Sequence, residues 1–197
     1  MNIKRLVIAS NNSHKTAEMA EYFALLGQEV INYRELHEQV QFPAESETDM
    51  AYNMQMKAET IHKILPNEYI LADDSALFIP SIPEHFGVTT MREFKAHQLR
   101  GDDEINQYIL DQLDNGIDRA GYLQANFYLI TPTGEHFDVV QTGGVEIAQA
   151  ARGNNGIDAL MVTENGQTLG EMPVDERIDY AHRGRAAKAL LAMLAER

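Results

Sequence analysis

Two aspartates stand side by side in YILADDSALF, residues 69–78, directly after an apolar run. Adjacent like charges at the end of a strand repel each other, so the pair needs a compensating circumstance. Two readings supply one: a solvated Asp-Asp-Ser turn, or a hard divalent cation that takes carboxylate oxygen at the strand's carboxyl end. Residues of related chemistry lie far away in the chain. SNNSHK, residues 10–15, offers Ser10, Asn12 and Lys15 before a helix, where free backbone N–H groups and the dipole attract an anion. The same Ser and Asn serve equally as ordinary helix caps, and without a Walker-type glycine pattern the segment is not a P-loop. Asp49, Asn53 and Lys57 recur every fourth residue and share one helical face. That face is either a solvated edge or the wall of a site to which Glu45, just upstream, adds a carboxylate. His182, Arg183 and Arg185 open the last helix in DYAHRGRAAK, where cations oppose the macrodipole at up to ~1 kcal/mol each. Facing an anion or a polar ring would offset that penalty; solubilising charge is the plainer account of Arg185 and Lys188.

The elements that must position these groups follow from apolar spacing. RLVIAS, residues 5–10, predicts a strand, and Met19, Phe23 and Leu26 predict a helix over 15–26 that stops at Gly27. A weak strand near 29–33 and a polar loop to Ser46 lead to a second helix over 48–65, with Met50, Met54, Ala58, Ile61 and Leu65 as its stripe. A strand over 69–72 then delivers Asp73 and Asp74 at its end. GDDEINQYILDQLDNG, residues 101–116, predicts a third helix, acidic at its N-terminus and ended by Asn115-Gly116. Two strands joined by a Pro-Thr-Gly turn follow over 121–144, as an antiparallel hairpin. The loop ARGNNG leads to IDALMVT, and the chain closes with a strong helix. Strand–helix alternation plus a hairpin predicts an α/β fold with an antiparallel portion.

The 197 residues suit one domain, or one sheet carrying two lobes, and 44% hydrophobic with 23% charged residues is an ordinary globular composition. A formal charge of −14 argues against a nucleic-acid partner, because a duplex binder must neutralise phosphates. Without cysteine there are no disulfides, thiolate chemistry or Cys-based zinc sites. No apolar run approaches the ~20 residues of a membrane span, and the opening apolar run is too short for a signal sequence. A soluble cytoplasmic protein is the default expectation.

Taken in order, the motifs resemble the inosine triphosphate pyrophosphatase family, enzymes that hydrolyse non-standard purine nucleoside triphosphates to monophosphate and pyrophosphate. The likeness runs through Ser10-Asn11-Asn12-Ser13-His14-Lys15, then Glu45, Asn53 and Lys57, then ADDSAL at 72–77. It continues through Gly87, Thr90 and Arg92, Gly156-Ile157-Asp158-Ala159, and Ala181-His182-Arg183. These matches span nearly the whole chain. The resemblance implies an elongated mixed β-sheet flanked by helices, two lobes with a central cleft, a single domain over 1–197, and a homodimer. It further implies Mg²⁺ held by Glu45 and Asp73, with Asp74 orienting or deprotonating the attacking water and Lys57 beside it. Ser10, Asn12, Lys15, Asn53, Ser75, Arg92, Asn155, Asp158, Arg177, His182 and Arg183 would contact the substrate. The physical logic is that water cannot approach a polyanionic triphosphate until metal and lysines neutralise it. His182 and Arg183 would read a 6-oxo group.

The base-binding segment departs from the family pattern. Asn155 replaces a stacking aromatic, Ile157 an aromatic, Ala159 a proline, Ala181 a serine and Arg177 a lysine. Lost stacking forfeits roughly 1–3 kcal/mol, so the pyrophosphate chemistry is better supported than purine selectivity. Two rival readings remain: a nucleotide-binding protein without turnover, and a phosphohydrolase with an aspartyl nucleophile in ADDS. Retention of all the phosphate-site carboxylates and lysines opposes the first, and the second requires a trappable phospho-enzyme.

Overall fold

The opening strand β1 (Leu6–Ile8) is wholly buried and lies between two parallel neighbours, β2 (Val30–Asn32) and β3 (Tyr69–Phe78). This is a computed structural model of the chain, describing residues 3–113, 116–154 and 156–196. Parallel neighbours need crossovers, supplied by α1 (Ser13–Leu25) between β1 and β2 and by α2 (Met50–His62) between β2 and β3. β4 (Tyr122–Ile130) and β5 (His136–Gly143) complete a sheet in the order β2-β1-β3-β4-β5. The turn between them is short: Thr131 N–H donates to the Glu135 carbonyl at 2.8 Å, and the pair is an antiparallel hairpin. The sheet is therefore mixed and helix-flanked, as the sequence predicts.

β3 is the element that matters most for chemistry, and it runs further than predicted. The strand does not end at residue 72; it continues through Asp73 and Asp74 to Phe78. Ala76 and Leu77, both essentially inaccessible, resume the apolar run and carry the strand past the acids. Pleating then sends the two carboxylates to opposite faces of the sheet. Ile70 and Ala72 share a core with Met54, Ala58 and Ile61 of α2, and Asp74 follows them in register. Leu71 and Asp73 point the other way, toward α1 and the C-terminal helix α6 (His182–Ala195).

The chain packs as two compact units. The first comprises Met1–Ser75, Ala125–Gln141 and Arg183–Arg197; the second comprises Ala76–Gln124 and Thr142–His182. Within the second unit lie α3 (Thr90–Ala96), α4 (Gly101–Asp111), the ribbon β6 (Glu146–Ile147) with β7 (Met161–Val162), and α5 (Val174–Arg177). Gly153 has φ +81° and no room for a side chain, since a Cβ there would stand 2.0 Å from the Gly170 carbonyl oxygen. This close approach fixes the loop before the turn at Gly156–Ala159. The predicted third helix ends at Asp111; its proposed stop at Asn115 lies outside the described residues.

Candidate active site

In the first unit, Asn53 of α2 is completely buried and makes the central connection on one face of the sheet. Its Oδ1 accepts from Ser46 N–H at 2.7 Å, while Nδ2 donates to the Ser46 carbonyl at 3.0 Å and to Asp74 Oδ2 at 3.4 Å. One amide thus ties the segment carrying Glu45 to the second aspartate. One turn further along α2, Lys57 forms an ion pair with Glu45. The four-residue spacing places Asn53 and Lys57 on one face of α2, toward Asp74 and Glu45, whereas Asp49 is the N-cap of the helix and accepts from Tyr52 N–H at 2.9 Å.

On the opposite face, Asp73 is buried and enclosed by donors. Its Oδ2 lies 3.1 Å from Lys15 Nζ and 3.1 Å from Arg183 Nε, and its Oδ1 accepts from Ser75 Oγ at 2.8 Å. Arg183 Nη1 reaches on to Glu18 Oε2 at 2.6 Å. Arg183 therefore bridges α6, α1 and β3 through two carboxylates. The resemblance implies a base-reading Arg183; in the structure its guanidinium is engaged inside the first unit.

The first loop behaves as a braced cap. Asn12 Oδ1 accepts from Lys15 N–H at 3.2 Å as the N-cap of α1, and Ser10 Oγ accepts from Asn12 N–H at 3.1 Å. Asn12 thus caps the helix and Ser10 braces the cap residue. Parallel pairing sets the loop at the carboxyl end of β1, where α/β sheets bind ligands. Asn32 Nδ2 donates to the Ser10 carbonyl at 2.9 Å and to Thr16 Oγ1 at 2.8 Å, pinning it there.

Electrostatically the two aspartates differ. Burial pushes the Asp74 carboxyl above the usual range, and the charges of Asp73 and Glu45 push it the same way; Lys15 and Lys57 oppose them without prevailing. Arg183 stays charged: burial would lower its proton affinity, but Asp73 and Glu18 outweigh that and raise it. Lys15 acts on both aspartates, by direct contact with Asp73 and through its charge on Asp74.

Four of the predicted substrate residues lie in the second unit. Arg92 sits on α3 and donates from Nη2 to the Val88 carbonyl at 3.4 Å. Asp158 and Arg177 form a long ion pair of 4.0 Å, with Arg177 buried. His182, at the start of α6, is also buried. Asn155 lies outside the described residues. Beside Asp158, the Gly156 carbonyl accepts from Asn106 Nδ2 of α4 at 3.1 Å.

Sequence reasoning missed Glu18, Asn32 and Glu93. Glu18 stands three residues after Lys15 on α1, a spacing that signals a shared helical face. Glu93 of α3 gathers three donors: His85 Nδ1 at 2.7 Å, Phe86 N–H at 2.6 Å and Tyr108 Oη at 2.8 Å. No linear pattern marks such a hub, because its partners come from a loop and another helix.

The donor set suits a hard cation. Glu45 and Asp74 are carboxylates linked by Asn53 through Ser46, and each feels the other's charge. Among the described residues no group of three or more acidic or histidine side chains is arranged to hold a metal. Mg²⁺ does not require one, since one or two carboxylates with water and substrate phosphates complete its shell. Asp73 has both oxygens engaged, Oδ1 by Ser75 and Oδ2 by Lys15 and Arg183.

The profile of the Ham1 family matches residues 6–193. A dihydroneopterin triphosphate diphosphatase of Limosilactobacillus reuteri is 35% identical over 197 residues, covering 96% of this chain and 97% of that protein. A dITP/XTP pyrophosphatase of Albidiferax ferrireducens is 32% identical over 203 residues, covering 98% of each. Among solved structures, the Staphylococcus aureus Ham1 protein superposes with a TM-score of 0.77 at 26% identity, covering 98% of both chains.

Proposed function

Because the chain belongs to the Ham1 family, we propose that it is a triphosphate pyrophosphatase, cleaving the α–β phosphoanhydride to release pyrophosphate and a monophosphate. The observation that carries the reading is the Asn53 connection: one buried amide holds Asp74 beside the Glu45–Lys57 pair, on a β-strand whose preceding residue contacts Lys15. Asp74 takes the proton of the attacking water as general base, within reach of the Glu45–Lys57 pair through Asn53. Lys15 and Lys57 neutralise phosphate oxygens as point charges. Glu45 and Asp74 would hold Mg²⁺, which would supply electrostatic stabilisation of the polyanion. Asp73 keeps Lys15 and Arg183 in place rather than ligating the metal.

The first substrate reading is a non-standard purine nucleoside triphosphate, supported by the dITP/XTP pyrophosphatase relatives. A second reading is a pteridine triphosphate, favoured by the 35% identical dihydroneopterin triphosphate relative and by the altered base segment at Asn155, Ile157 and Ala159. A single panel tests both. Pyrophosphate release is measured on dITP, XTP, dATP, dGTP and dihydroneopterin triphosphate, with Mg²⁺ and with chelator. Turnover that requires Mg²⁺ and falls about 10²–10⁴-fold in Asp74→Asn is expected. Release of orthophosphate one unit at a time would overturn the reaction, and binding without turnover across the panel would favour the non-catalytic reading. A homodimer working in the cytoplasm completes the proposal, and light scattering on the purified chain tests the dimer.

A further inference from the structure

Tyr33 is the first residue of the short turn that follows β2, and its ring is fully buried. Its hydroxyl donates to Asn11 Oδ1 at 2.5 Å and accepts from Val40 N–H at 3.0 Å. Asn11 Nδ2 in turn donates to the Val40 carbonyl at 3.0 Å. Three points distant in sequence are thereby closed into one hydrogen-bonded ring. The Tyr33 ring also packs edge-on against Phe42, with centroids 6.0 Å apart at 73°.

What this ring joins is functional on the reading above. Asn11 lies inside the 10–15 loop, between Ser10 and Asn12. Val40 and Phe42 lie in an irregular segment, mostly exposed, that runs on to Glu45. It is held at its far end by Asn53 through Ser46 and at its near end by Val40 and Phe42 against the core that includes Tyr33, with few regular backbone partners between. We propose that Tyr33 is a positioning residue that fixes the phosphate loop and the Glu45-bearing segment as one body, so that Lys15 and Glu45 keep a set separation. The inference rests on the proposed pyrophosphatase reading. Both hydrogen-bonding capacities of the hydroxyl are used, one toward each segment, and phenylalanine would reproduce only the packing.

Tyr33→Phe and Asn11→Ala test the idea, alone and combined, in pyrophosphate-release kinetics. Each single variant should raise KM for the triphosphate about tenfold, the scale of one lost hydrogen bond, with kcat changed far less. The double variant should be no worse than either single one, because both changes open the same ring. Hydrogen exchange supplies a readout independent of turnover: amides of 10–16 and of 36–45 should exchange faster together in both variants. Multiplying KM effects, or faster exchange confined to residues next to the substitution, would overturn the proposal. If the unsubstituted protein hydrolyses no triphosphate, the pyrophosphatase reading falls, and the exchange data alone decide whether Tyr33 couples the two segments.

Discussion

Asp74 and Arg183 are opposite cases of a charge inside the fold. Burial works against the ionised Asp74 carboxyl, and the nearby lysines do not fully compensate. A group whose ionisation the fold resists is a site where function opposes stability. In metal-free buffer at neutral pH, Asp74→Asn is expected to raise Tm by about 2–4 °C for each kcal/mol recovered, although with Mg²⁺ present the same change lowers pyrophosphate release about 10²–10⁴-fold. A lower Tm would mean that Lys15 and Lys57 outweigh burial after all. Arg183 behaves the other way. Removing its guanidinium leaves Asp73 buried with one cation fewer, and Arg183→Met should destabilise by about 3–5 kcal/mol in urea denaturation. An effect below ~1 kcal/mol would show that Lys15 alone satisfies Asp73.

At the scale of elements, the crossovers, the hairpin and the helix faces were legible because apolar spacing writes them directly. Asn53 and Lys57 were found by four-residue spacing on α2, and their contacts bear that spacing out. The course of β3 was not legible. Asp-Asp-Ser reads locally as a turn, and only the burial of Ala76 and Leu77 carries the strand onward, which separates Asp73 from Asp74. Nor could spacing show that Arg183 turns inward, since that depends on Glu18 and Asp73, more than a hundred residues earlier in the chain. The Glu93 hub of α3 is of the same kind. It anchors a loop in which Phe86 holds a left-handed φ of +64°, unfavourable for a non-glycine residue. Burial alone would raise its carboxyl, but donors from His85, Phe86 and Tyr108 together hold it below the usual glutamate range. The same contact, after burial, keeps the Tyr108 hydroxyl protonated, pushed up to about 12. A folded-state value below the unfolded 4.5 means that stability from Glu93 is present above that pH and is lost as pH falls through the folded value. Glu93→Gln should therefore cost about 1–3 kcal/mol at pH 7. In denaturation at a series of pH values, the gap to the unsubstituted protein should narrow below about pH 4.5. A gap independent of pH would mean that the hub works by shape alone.

The whole molecule carries a formal charge of −14, and its proposed substrate is itself an anion. Close to the site the balance is no better: Lys15, Lys57 and Arg183 stand with Glu18, Glu45, Asp73 and Asp74, three cations against four carboxylates. These cations can clamp phosphates at contact, yet from a distance the approach of a triphosphate is opposed. Two consequences follow. A divalent cation reverses the sign of the local sum, which is why chelation should abolish turnover rather than slow it. The charge on the rest of the surface remains, and its reach is set by salt: the screening length falls from roughly 30 Å at 0.01 M to roughly 10 Å at 0.1 M. At fixed free Mg²⁺, kcat/KM should accordingly rise severalfold as inert salt is added over that range, and then level off. This is the reverse of the steering expected when an anionic ligand meets a cationic surface. Stopped-flow measurement at limiting substrate separates the cases, because a steady fall with salt would mean that the two lysines govern the encounter from afar despite the acidic body around them.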